Sequence, residues 1–116
     1  MLNENGVVCV PQEMEEEIKK LIKQINDVTS VNRIYLFGSY AYGEPDKESD
    51  IDLCIINDGY VRKRDMIRII RKSISKVAKK PVDILVYEKE QFLQKAKFNS
   101  TIEYKIIKEG VSVYGK

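Results

Sequence analysis

Three carboxylates and a Gly-Ser pair carry the chemistry this sequence can offer. Gly38-Ser39 is followed after ten residues by Asp50-Ile51-Asp52, and Asp83 sits inside a second apolar run, VDILV. Side chains of a strand alternate faces, so Asp50 and Asp52 point one way while Ile51 and Leu53 point the other, into packing. Two carboxylates this close repel, and one stays protonated unless something compensates. A divalent cation compensates well. If the strand that carries Asp83 lies beside the first in register, all three carboxylates meet on one patch. Three hard oxygen ligands, completed by water and phosphate oxygens, suit Mg²⁺. Two such ions could activate an attacking oxygen and hold a leaving pyrophosphate.

Each piece taken singly has an ordinary explanation. Asp-x-Asp after a loop can be a helix cap or a solvated strand end. A carboxylate within VDILV is costly unless it stands at a strand end or meets a partner. Gly-Ser is a common strand-to-turn pair, but glycine also lets a phosphate approach the backbone closely. The Ser39 hydroxyl and the amides after it can then donate to phosphate oxygens. It is the combination that argues for a nucleotide- and metal-binding site.

The elements that must position these residues are legible from periodicity. Met14, Ile18, Leu21, Ile22, Ile25 and Val28 recur at helical spacing, predicting a helix over 12–27 with Pro11 in its first turn and Lys19, Lys20 and Lys23 on its wet side. Glu13, Glu15, Glu16 and Glu17 suit the positive end of its dipole. VNRIYLF, 31–37, reads as a strand that ends at Gly38-Ser39, with a short helical turn through Tyr42. Residues 43–49 form a polar loop, 50–57 a second strand, and Asn57-Asp58-Gly59 a break. Met66, Ile67, Ile70, Ile74 and Val77 predict a second amphipathic helix over 62–79, ended by Pro81. Its outer face carries Arg62, Lys63, Arg64, Arg68, Arg71 and Lys72. A third strand follows over 82–87, then a short helix over 88–97 with Phe92, Leu93 and Ala96 inward. Ser100-Thr101-Ile102-Glu103 has capping-box spacing for a last helix that runs to about 109, where Gly110 closes it, and 111–114 is a final strand.

Helices alternating with short strands predict one α/β domain over residues 1–116, with 1–10 an irregular lead-in. At 116 residues, 43% hydrophobic and 33% charged, a core without staples is feasible. The net charge of +2 is too small to argue for nucleic acid or a membrane surface. No apolar run is long enough to span a bilayer, and the N-terminus lacks a secretory pattern, so the expected location is the cytoplasm. Cys9 and Cys54 are expected to be reduced and buried. With no histidine, a His-based nucleophile relay and a His-ligated zinc site are both excluded.

Leu36-Phe37-Gly38-Ser39, ten residues, then Asp50-Ile51-Asp52-Leu53 resembles the signature of the DNA-polymerase-β-like nucleotidyltransferases. The similarity is strongest to their minimal members, the antitoxin-type proteins paired with HEPN toxins. Asp83 matches the family's third carboxylate, and Ile107-Lys108-Glu109-Gly110-Val111 looks like the usual end of these small domains. The resemblance covers about residues 30–116. It implies a small mixed β-sheet flanked by helices. It also implies that Asp50 and Asp52 hold the metal ions carrying a nucleoside triphosphate, that Asp83 completes the catalytic metal site, and that Gly38 and Ser39 bind the β- and γ-phosphates. The implied reaction moves a nucleoside monophosphate, AMP from ATP in the toxin-paired members, to a hydroxyl, there a tyrosine of the toxin. One departure stands out. Many relatives carry Arg just after the Gly-Ser and again before the next Gly, where this chain has Tyr40 and Tyr42. Packing is the expected role of the two tyrosines, with Lys47 or another basic residue supplying the missing charge.

Two other functions fit the same residues. The domain could neutralise a toxin by contact alone, through its first helix and the basic helix. It could also modify a small molecule, in the manner of an aminoglycoside nucleotidyltransferase, given a partner subunit or an oligomer to shape the acceptor pocket. Nothing in the sequence selects an acceptor, a base or an oligomeric state.

Overall fold

The computed structural model describes residues 12–42, 50–57 and 62–115. The lead-in with Cys9 and Pro11, the loop 43–49 with Lys47, the break at Asp58-Gly59, and the side chains of Glu13, Ser39 and Tyr42 lie outside the described residues. The elements are α1 (Gln12–Val28), β1 (Val31–Phe37), α2 (Ser39–Tyr42), β2 (Ile51–Asn57), α3 (Lys63–Ile74), β3 (Val82–Glu88), α4 (Lys89–Ala96), α5 (Ile102–Glu109) and β4 (Val111–Gly115). The strands form one mixed sheet in the order β3-β2-β1-β4. β1 pairs antiparallel with both β2 and β4, and β2 pairs parallel with β3 through the α3 crossover.

Strand alternation divides the apolar residues between two faces. Ile34, Leu36, Ile51, Leu53, Ile55 and Val86 meet α1 and α3, whose Ile18, Leu21, Ile25, Met66 and Ile70 are fully buried. The opposite face carries Phe37, Cys54, Ile56 and Tyr87, packed against Phe92 of α4 and Ile106 of α5. Because both faces are covered, β2 reads as a nearly continuous apolar run. Each fully buried Leu or Ile stabilises the fold by roughly 1.5–3 kcal/mol, and this supply offsets the polar groups that the same sheet must carry. Ser73 adds a polar tie between the helices, its hydroxyl donating to Gln24 Oε1 at 3.0 Å.

Several boundaries differ from the periodicity. α3 stops at Ile74, although its apolar spacing continues to Val77 and the sequence alone extended it to 79. Past Ile74 the amides of Lys76 and Val77 reach back three residues, to Ser73 and Ile74, and Ser75 Oγ donates to Lys72 O at 2.8 Å. The chain tightens into a turn that still packs Val77 and Ala78 on the core. β2 begins at Ile51, leaving Asp50 just ahead of the strand. Val28 and Leu93, expected inward, are exposed.

The start of α5 is also rearranged. Thr101, rather than Ser100, is the cap, its Oγ1 accepting from Tyr104 N at 3.2 Å. Glu103 does not return to cap the helix. It is buried and hydrogen-bonds Tyr87, whose hydroxyl is pushed up to about 12 by burial first and then by the charge of Glu103. The buried Cys54 thiol is likewise pushed up to about 12, by burial first and then by Glu103, so it is inert as a nucleophile at neutral pH. Thr101→Ala is expected to cost about 1 kcal/mol of stability, the usual cost of losing a helix cap, whereas Ser100→Ala should leave a urea midpoint unchanged.

At the other end of α5, Gly110 donates its N–H to Ile106 O at 2.9 Å with φ −71°. It is therefore not a left-handed cap. Glycine is needed for space, since a Cβ there would overlap Ile106 O and approach Leu36 O at 3.0 Å.

Candidate active site

The acidic residues meet because β2 and β3 run parallel in a register that pairs Asp52 with Asp83, while β1 brings Phe37 opposite Asp52. Asp52 belongs to the series Asp52, Cys54, Ile56, and Asp83 to the series Asp83, Leu85, Tyr87. Both therefore lie on the α4/α5 face, at the end of the sheet where β1 leaves and β2 and β3 begin. A hydrogen bond from Ile51 N to Pro81 O at 3.1 Å aligns the two strand starts. Asp83 is exposed and so escapes the cost that its apolar neighbours would impose. Asp50 and Asp52 are half-buried.

The electrostatics of the group are governed by burial and mutual repulsion. Burial raises the Asp52 carboxyl to about 6, helped by the charges of Asp83 and Asp50 and by a hydrogen bond with Asp83 that favours the protonated form. Among the described residues no three acidic or thiol side chains stand as a ready-made metal cage. What stands there is a hydrogen-bonded pair, Asp52 with Asp83, and a third carboxylate, Asp50, close enough to be felt. These are hard oxygen donors whose mutual repulsion a divalent cation would relieve, so the donor set fits such an ion.

Gly38 completes this end of the sheet. It is the only non-negative φ among the described residues, at +76°, and a Cβ built on it would overlap Asp52 Oδ2. The left-handed turn and the close approach of Asp52 both demand glycine. The chain then enters α2, where Ala41 N bonds Gly38 O at 3.1 Å. Tyr40 is buried in the α1/α3 core, which agrees with the packing role expected for it. The sequence did not single out Lys80, yet its Nζ lies 5.9 Å from the centre of the Tyr40 ring, which places a cation beside the turn that follows Gly38. The available signal was its place one residue before Pro81, at the start of the strand carrying Asp83.

The site as a whole is thus a mixed four-stranded sheet that presents paired aspartates beside a glycine turn. Residues 15–108 match the family model described as "Nucleotidyltransferase domain", and the chain belongs to that family. It is 46% identical over 43 residues to a Methanocaldococcus jannaschii protein named "Putative protein adenylyltransferase MJ1379", a match spanning 37% of this chain and 43% of that relative. In solved structures the same fold occurs in a Sulfolobus solfataricus protein described as "a putative nucleotidyltransferase", with TM-score 0.62 and 19% identity over 90% of this chain and 82% of that one. It also occurs in a complex of a tri-AMPylated HEPN toxin with an MNT antitoxin from Shewanella oneidensis (TM-score 0.57, 19% identity, 88% and 72% coverage). A toxin-antitoxin structure with AMP-PNP is a third (TM-score 0.53, 22% identity, 88% and 73% coverage). The sheet flanked by helices that the sequence predicted is the fold of these neighbours. No described helix is long and apolar enough to cross a membrane.

Proposed function

We propose that the chain, acting as one domain in the cytoplasm, is a Mg²⁺-dependent protein adenylyltransferase that moves AMP from ATP to a tyrosine of a HEPN-type toxin and so serves as its antitoxin. The observation that carries this reading is the in-register pair Asp52–Asp83 beside the Gly38 turn, with Asp52 raised to about 6. The M. jannaschii relative's name and the AMPylated-toxin neighbour support the choice of a protein acceptor, and the AMP-PNP neighbour supports ATP as donor.

Asp50, Asp52 and Asp83 would hold the cations, two on this reading. Bound there, divalent ions would neutralise triphosphate charge and lower the pKa of the attacking hydroxyl. Gly38 and Ser39 would bind the β- and γ-phosphates, through backbone amides of the turn and the Ser39 hydroxyl. The acceptor oxygen forms a bond to the α-phosphorus, the bond to the bridging oxygen breaks, and pyrophosphate leaves. Asp83, the exposed member of the pair, would complete the catalytic metal site and help to activate the acceptor oxygen.

The test is incubation with α-labelled ATP, Mg²⁺ and a HEPN-type partner, with the modified residue located by mass spectrometry. Labelling of a tyrosine that disappears on chelation and in the Asp50→Ala/Asp52→Ala double variant is the expected result. Label that persists in that variant would exclude the metal assignment. Neutralisation by the variant without ATP would instead favour a binding antitoxin.

A further inference from the structure

The charge of this chain is unevenly placed. Residues 62–80 hold nine of the twenty Lys and Arg and only one of the eighteen Asp and Glu, Asp65. In the fold this segment is α3 and the turn after it. Arg64, Arg68, Arg71, Lys72, Lys76 and Lys79 are all exposed. The helix starts beyond the end of β2 and returns toward the start of β3. Its C-terminal end therefore comes to the same end of the sheet as Asp52 and Asp83. There, Arg71, Ile74, Ser75, Ala78, Lys80 and Val82 line a shallow depression of about 200 Å³. Its floor is apolar and its rim carries two cations and a hydroxyl. Val82, which packs on the α1/α3 core and so points away from the face that carries Asp83, forms one wall, and Lys80 reaches Tyr40 beside the Gly38 turn.

From this placement we infer that the basic face of α3, ending in the Arg71–Lys80 depression, is the docking surface for an acidic protein segment. That segment would seat an apolar side chain in the depression, on the α1/α3 side of the sheet end, and a tyrosine further along it would round that end to the acidic pair on the opposite face. This deepens the reading of the chain as a protein adenylyltransferase and rests on it. Charge complementarity selects an anionic partner. The remaining features select protein over nucleic acid. Residues 62–82 contain no aromatic side chain on which a base could stack. An apolar floor inside a charged rim is the anatomy of a protein contact.

The probe is a random glutamate–tyrosine copolymer, compared with a lysine–tyrosine copolymer and with polyuridylate, and read by fluorescence anisotropy without nucleotide or metal. The expected result is saturable binding of the glutamate–tyrosine polymer that weakens as salt is raised. It should fall by roughly tenfold in Arg71→Glu/Lys80→Glu. Lys19→Glu/Lys23→Glu, on the exposed face of α1, should bind as the parent does. Should the Lys80 change perturb the fold by circular dichroism, Arg71→Glu/Lys72→Glu/Lys76→Glu makes the same test on exposed positions alone. Equal binding by parent and α3 variants, or tighter binding of polyuridylate, would overturn the inference. Since the readout needs no catalysis, binding without AMP transfer would leave this surface standing while removing the proposed activity.

Discussion

Asp52→Asn is expected to abolish nucleotidyl transfer while making the protein more heat-stable at neutral pH. The loss of activity should be on the order of 10²–10³-fold or more, the scale of deleting one group that stabilises developing charge in a transition state. The gain in stability follows from linkage. In the folded chain the Asp52 carboxyl titrates near 6, above its ordinary value of 3.8, because burial and the charges of Asp83 and Asp50 oppose its ionisation. Below about pH 4 the group is protonated whether the chain is folded or not, and it costs nothing. As pH rises through about 6 the unfolded chain has already released the proton that the folded chain retains, so stability falls. Above that the penalty is constant. The melting temperature of the parent relative to Asp52→Asn should therefore decline between about pH 4 and pH 6 and stay lower at pH 8. Mg²⁺ should recover part of that deficit in the parent and none in the variant. A variant that melts below the parent at pH 8 would mean the carboxylate is already compensated within the fold. The site would then have no need of a cation.

Gly38→Ala is expected to damage both the fold and the site. With φ at +76° an alanine accepts a left-handed backbone, and its Cβ would overlap Asp52 Oδ2. Strain of this kind costs about 1–3 kcal/mol, and the overlap forces Asp52 away from its pairing with Asp83. Urea unfolding should report the loss of stability, and labelling assays should report a loss of transfer larger than the stability change explains. Gly110→Ala is the useful contrast. Its crowding is against Ile106 O and Leu36 O, away from the acidic pair, so destabilisation without a separate effect on transfer is expected. If Gly38→Ala behaved like Gly110→Ala, the glycine would serve the turn alone.

Much of this was readable in the sequence because the relevant forces are local. The seven-residue run VNRIYLF and the repeat of Met14, Ile18, Leu21 and Ile25 declare β1 and α1 through steric and burial preferences that operate within a few residues. The expectation that Asp50 and Asp52 share a face rests on strand alternation over two positions, but β2 begins only at Ile51 and the hydrogen-bonded partner of Asp52 is Asp83. The Gly-Ser turn follows from what glycine alone permits. The misplaced features depend on contacts distant in sequence. α3 ends at Ile74 although its apolar spacing runs on, because the chain must turn there to lay β3 parallel to β2. Thr101 stands in place of Ser100 as the cap, and Glu103, which a capping box would turn back to the helix start, bonds Tyr87, sixteen residues earlier.

The residue types of the candidate site stand in the sequence itself: three carboxylates, a glycine, no histidine, and tyrosines at 40 and 42. Only the tertiary structure decided how they stand. A parallel register puts Asp83 opposite Asp52, whereas a one-residue slip would have turned it to the other face. The approach of β1 places Gly38 against Asp52, and the return of α3 brings Lys80 to Tyr40. Whether Asp52 is an ordinary carboxylate or one held near pH 6 depends on the burial and neighbouring charge that this register creates. Those are properties of a folded sheet, and no stretch of chain possesses them alone.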